Sequence, residues 1–216
     1  WMRRQHTVHR DERAEEGRAL HAWVEEWVVT GGIGVLPAIH PSIAPYVRAF
    51  LAFVAHYGLT PNDWLFTEAV VINRAHKYAG TTDGAIRFHA DTNPACADWV
   101  ARALGIPVSQ VAGRHADLLF DAKTKNPLEE GKTPTFYQDV ALQLAPYRWA
   151  PIIRLKPTGE ERAMPDLDGA FALYLYPDMA VPRLVVADET TLAAFVNALG
   201  LYRWTVEHGS ASVSEK

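Results

Sequence analysis

Cysteine is almost absent from the chain: Cys96 is the single thiol among 216 residues. That excludes an internal disulfide and any all-cysteine zinc or iron–sulfur site. No apolar run reaches the roughly eighteen residues that a membrane-spanning helix needs, so no membrane partner is expected. No apolar stretch follows Trp1-Met2-Arg3, so nothing there reads as a signal peptide. Opening on Trp1, the chain reads as a piece whose upstream segment is missing, and the cytoplasm is the expected compartment. An excess of positive charge is lacking too. The formal net charge is -4, which does not advertise a nucleic-acid binder. The one local basic patch is Lys123, Lys125 and Lys132, with Arg148 downstream, and Glu129 and Glu130 interrupt it. His-Glu-x-x-His, a glycine-rich phosphate loop and a Gly-x-Ser-x-Gly elbow are all missing. With 49% apolar and 11% aromatic residues, the chain can build one substantial core.

What is present centres on Asp117-Leu118-Leu119-Phe120-Asp121-Ala122-Lys123-Thr124, an apolar run of strand length that ends in an acid, a small residue and a lysine. Side chains two apart on a strand share a face, so Asp121 and Lys123 point the same way. The acid can hold a divalent cation, and the lysine can orient a water or steady growing negative charge, as phosphodiester hydrolysis requires. An ordinary exposed ion pair at a strand end would look the same.

The remaining pattern alternates helices and strands. Asp11 and a stripe of Leu20, Val24, Trp27 and Val28 predict a helix over 11–29, with His21 and Glu25 on one face. Gly17 inside it costs about 1 kcal/mol relative to alanine and suggests close approach by another backbone. Thr30-Gly31-Gly32-Ile33-Gly34 ends that helix, and a loop with Pro37, Pro41 and Pro45 leads to a second over 44–57, closed by Gly58. Residues 64–72, with Glu68 in the middle, and 78–88 predict a hairpin around a turn at 73–77. Asp83-Gly84 is also a common pair for a tight turn. A short helix from Asn93-Pro94 through Leu104 is expected within an insertion, 89–115, at the sheet edge. Residues 125–135 read as a mobile loop, and 136–150 as a helix that Pro146 should kink. A hairpin over 168–176 and 181–187 precedes a last helix over 190–206, capped by Asp188 or Thr190, and a polar tail follows His208. The sum is one α/β domain with a mixed sheet flanked by helices.

The order of the polar residues adds to this. Gly17-x-x-x-His21 on a helix is followed by Glu68 on a strand, Gly80-x-x-Asp83 on the next, Asp121-x-Lys123-Thr124, and Gln143-x-x-x-Tyr147-Arg148 on a helix. Over about residues 13 to 150 this resembles the PD-(D/E)xK nuclease superfamily, in its RecB-like branch of CRISPR-associated and phage-type exonucleases. The resemblance implies a restriction-endonuclease-like core spanning the whole chain as a single domain. It implies a magnesium- or manganese-dependent DNA exonuclease of phage or recombination type, working in a bacterial or phage-infected cell. A recombination or replication protein is the further partner it suggests. Carried over residue by residue, it makes Asp83, Asp121, Lys123 and Glu68 catalytic. His21, Asp83, Asp121 and the Ala122 carbonyl would hold the metal. Thr124, Lys125, Gln143, Tyr147 and Arg148 would contact DNA. No iron–sulfur cluster is expected, since the cysteines that bind one in some relatives are missing. Two other readings share these residues: an inactive nuclease fold that binds DNA or protein, and a phosphoesterase acting on small nucleotides.

Overall fold

The structure is a computed structural model that describes residues 2–32, 39–129, 131–137, 139–156 and 158–208, with side chains from Glu15 onward. Seven strands form one mixed sheet in the order β5-β4-β1-β2-β3-β6-β7. They are β1 (Trp64–Asn73), β2 (Tyr78–His89), β3 (His115–Thr124), β4 (Ile152–Leu155), β5 (Glu161–Ala163), β6 (Gly169–Leu175) and β7 (Ala180–Val185). All neighbours run antiparallel except β3 and β6, which pair in parallel from Leu118↔Gly169 to Thr124↔Leu175. Among the described residues five helices cover the sheet: α1 (Met2–Val29), α2 (Ala44–Tyr57), α3 (Pro94–Leu104), α4 (Val140–Arg148) and α5 (Glu189–His208). Among the described residues no helix is long and apolar enough to cross a membrane.

Strand alternation divides the core in two. Leu118, Phe120 and Ala122 of β3 face α1, α2 and α3, where Leu20, Trp23, Phe50, Phe53 and Trp99 pack. Leu119 faces α4, where Val140, Leu144 and Ala145 pack with Tyr174. On the first face Trp27 meets Phe50 and Trp64 edge-on, which suits their quadrupoles.

Several expectations hold closely. The second helix has the expected bounds and ends at Gly58 in the left-handed region. The two hairpins form, and Asp188 caps the last helix by accepting from the Thr191 backbone N–H at 2.8 Å. Others change. Residues 90–114 do not sit at the sheet edge, because β2 and β3 are adjacent in the middle of the sheet. The helix of this connection buries Cys96, Trp99 and Val100 in the core. Cys96 donates to the Tyr57 carbonyl at 3.0 Å, and burial pushes its thiol up to about 11, so it is unreactive. The helix expected over 136–150 is shorter, and Phe136 and Tyr137 precede it. Pro146 stays inside α4. The carbonyl it leaves without a helical partner belongs to Leu142, which is exposed to water, and its own carbonyl accepts from the Tyr78 hydroxyl at 2.8 Å. Asp83-Gly84 lies within β2 and makes no turn. Strands β4 and β5 were not anticipated. Ile33, Gly34, Pro37, Glu130 and the tail after His208 lie outside the described residues.

Candidate active site

The site forms where the sheet splits. Pairing between β2 and β3 runs from His89↔His115 to Gly84↔Phe120 and stops there. Beyond that point β2 continues against β1, and β3 against β6. Asp83 and Asp121 are each the first residue past the last pair, so both carboxylates stand in the mouth of the fork. Gly84 sits at the branch with φ +149°, and a Cβ there would lie 2.5 Å from the Phe66 carbonyl oxygen. No other residue fits that crossing of backbones. Ala122 ties the two strands by donating its N–H to Asp83 Oδ2 at 2.6 Å.

From one face, α1 brings His21 into the fork. Its Nδ1 lies 3.0 Å from Asp83 Oδ1 and 3.6 Å from Glu68 Oε1. Ligand atoms of His21, Glu68 and Asp83 all lie within 4.8 Å of one another. Burial alone would lower the imidazole pKa, but hydrogen bonds and charge from Asp83 and Glu68 prevail and raise it to about 10. Glu68 is a non-glycine residue at φ +46°, in the left-handed region and inside a strand. Such a conformation costs on the order of 1–3 kcal/mol and turns the carboxylate out of the ordinary alternation. Against burial, His21 and Lys156 hold the Glu68 carboxyl below its usual range.

From the other face, α4 brings Gln143. Its side-chain Nε2 donates to Asp121 Oδ1 at 3.0 Å, while its Oε1 accepts from Lys123 Nζ at 3.0 Å. Lys123 Nζ stands 2.7 Å from Asp121 Oδ2. That is ion-pair distance, yet this buried oxygen receives no well-directed hydrogen bond. Asp121 is only 4% exposed. Burial, then the charge of Asp83, push its carboxyl up to about 6, against the pull of Lys123. The clustered ligand atoms of His21, Glu68 and Asp83 fit a divalent cation, and the buried Asp121 stands across the fork with one oxygen unspent by hydrogen bonding. Carboxylate oxygen suits magnesium or manganese, and the imidazole favours manganese.

Gly80 explains itself here. A Cβ would meet the Tyr147 ring at 2.6 Å, so the glycine makes room for the tyrosine that α4 sets on β2. Burial raises the Tyr147 phenol and keeps it protonated, although Gln143 bonds to it. Gly80→Ala is expected to force Tyr147 and Gln143 out of place. Melting temperature should fall, and tyrosine fluorescence or a crystal structure should report the displaced ring; an unaltered ring would refute this packing. Gly17 differs from expectation. A Cβ there would sit 3.8 Å from Thr124 Oγ1, an ordinary contact, so no backbone crowds it.

A cleft of about 680 Å³ opens over the fork, lined among others by His21, Glu68, Lys123, Thr124, Lys125 and Tyr137. The structure thus brings together His21, Glu68, Asp83, Asp121, Ala122, Lys123, Thr124, Lys125, Gln143 and Tyr147. It leaves out Arg148, whose guanidinium donates to the carbonyls of Leu167, Asp168 and Ala187 and stays on the far side of α4. Lys132 pairs with Glu129 instead of lining the cleft. Two participants were missed. Lys156, in the turn after β4, reaches Glu25 at 3.0 Å and Glu68 at 3.5 Å, and Glu25 is the helix neighbour of His21. The i, i+4 spacing of His21 and Glu25 was a usable signal, whereas nothing in the sequence marked Lys156.

No protein-family model matches this chain, and no curated protein matches it in sequence.

Proposed function

We propose that this chain is a metal-dependent deoxyribonuclease with a restriction-endonuclease-like core, acting on DNA ends as an exonuclease. The observation that carries the reading is the forked sheet. It sets an acid–histidine cluster and a lysine–acid–glutamine group side by side at the fork, beneath a cleft that His21, Glu68 and Lys123 line. The order of these residues, and their resemblance to the PD-(D/E)xK superfamily, support the same reading.

In this account His21, Asp83 and Asp121, with Glu68 beside them, would hold the cation. When bound, magnesium or manganese supplies a Lewis acid and lowers the pKa of its water. The residues of the chain do the rest. Lys123 keeps a fixed positive charge in a partly water-excluded place, where it steadies the charge that grows on the scissile phosphate. Gln143 bridges Lys123 and Asp121 and fixes both rotamers, a positioning role more than a DNA contact. Thr124, the last residue of β3, and Lys125 just after it line the cleft and face the substrate backbone. Arg148 is withdrawn from the DNA-binding set, since its donors are already spent on three carbonyls.

The test is cleavage of end-labelled linear DNA beside a covalently closed circle, with magnesium or manganese, and with Lys123→Ala in parallel. Loss of the linear DNA alone, dependent on metal and on Lys123, is the expected result. Cutting of the circle would make the enzyme an endonuclease. Normal cleavage by Lys123→Ala would overturn the mechanism. DNA bound but never cut would point to an inactive binding module. Hydrolysis confined to mononucleotides would point to a phosphoesterase.

A further inference from the structure

The cleft has an aromatic wall that the mechanism does not use. Tyr137 lines the cleft and is 61% exposed, and Phe136 beside it is also exposed. The wall is braced from below. Phe136 packs on Tyr174 with ring centroids 5.0 Å apart, and Arg183 lies 4.6 Å from the Phe136 centroid. Lys125 Nζ sits 3.5 Å from the Tyr137 centroid and 5.1 Å from that of Tyr174. The Lys125 backbone is anchored as well, by its own N–H to the Leu175 carbonyl at 2.8 Å and by the Tyr46 hydroxyl to its carbonyl at 3.2 Å.

We infer that Tyr137, backed by Lys125, is a base-stacking platform and that the substrate strand enters the cleft as single-stranded DNA. The inference rests on the nuclease reading for its substrate and names the form that substrate takes. A base inside a duplex has both faces covered by its neighbours, whereas an unpaired base has a free face to lay on an exposed ring. The charge balance favours the same form. Gripping a duplex requires many phosphate contacts from lysine and arginine, and the chain is net acidic. Two cleft lysines are already committed, Lys123 to Asp121 and Lys156 to Glu25 and Glu68. Stacking provides affinity that phosphate pairing does not. Lys125, held over the ring by its cation–π contact, is placed to meet the phosphate that flanks a stacked base. Tyr137 lies three residues before Val140, the first residue of the helix that carries Gln143.

The experiment is fluorescence anisotropy of a labelled oligothymidylate, single-stranded and annealed to oligodeoxyadenylate, with the full chain in EDTA so that no cleavage intervenes. The single strand is expected to bind more tightly than the duplex. Tyr137→Ala should weaken single-strand binding about tenfold, and Tyr137→Trp should retain it. Circular dichroism of both variants checks the fold, which an exposed side chain does not support. Equal affinity for the duplex, or unchanged binding by Tyr137→Ala, would overturn the platform. A separate manganese-dependent cleavage assay keeps the two readings apart. Cleavage by the wild type with Tyr137-independent binding would leave the nuclease and remove the platform. Tyr137-dependent binding without any cleavage would keep the platform and remove the nuclease.

Discussion

Asp121→Asn is expected to stop metal-dependent cleavage while making the metal-free protein more stable. Activity should fall by about a hundred- to a thousandfold, the scale of removing one preorganised electrostatic partner. The opposite change in stability follows from the crowding of Asp83 and Asp121 at the fork. Burial and the Asp83 charge raise the Asp121 carboxyl to about 6. A folded-state pKa above the unfolded value of an acid means that ionisation works against the fold. The penalty is full above pH ~6 and gone below pH ~4, near the unfolded value, at about 1.4 kcal/mol per pKa unit. Asparagine keeps the shape and removes the charge but forfeits the ion pair with Lys123, so a net gain of about 1–3 kcal/mol is expected at pH ~8. Urea unfolding across pH measures it, and the gain should shrink as the pH falls through 6. A variant that loses stability at neutral pH would show that the Lys123 pair outweighs the repulsion.

The second large effect concerns His21. Its imidazole is raised to about 10 by Asp83 and Glu68, so the metal-free protein carries it as an imidazolium at neutral pH. A raised histidine stabilises the fold fully below its unfolded value near 6.5, and that contribution is lost as the pH climbs through about 10. A metal held at Nδ1 needs the neutral ring, so proton and cation compete for one atom. Manganese binding should therefore release close to one proton at pH ~8, and its affinity should rise about tenfold per pH unit up to the imidazole pKa. Calorimetry in buffers of different ionisation heat counts the proton directly. Affinity that ignores pH, or a His21→Gln variant with an unchanged slope, would remove His21 from the ligand set.

These two results depend on different kinds of information. The strand ending in Asp121-Ala122-Lys123 was legible because a continuous apolar run breaks abruptly into charge. The β1–β2 hairpin, α2, α3 and the Asp188 cap were legible for similar reasons, since period, turn residues and caps act over a few positions. Strands β4 and β5 were not. They are four and three residues long, and β5 is exposed throughout, so neither leaves a periodic trace. Lys156 was lost with them. Arg148 misled because a motif gives spacing along a helix but not which side of it meets carbonyls.

The sequence by itself determined the elements, the apolar stripes and the set of acids, lysine and histidine that could do chemistry, because these follow from local periodicity and side-chain type. Only the tertiary structure decided that β2 and β3 part at Gly84 and Phe120, and which face each helix occupies. That parting places Asp83 and Asp121 at one fork with His21 against Asp83, although the two aspartates stand 38 positions apart in the chain. The physical reason is that strand pairing and helix packing are non-local. They are fixed by shape and burial across the sheet, which no window of neighbouring residues records.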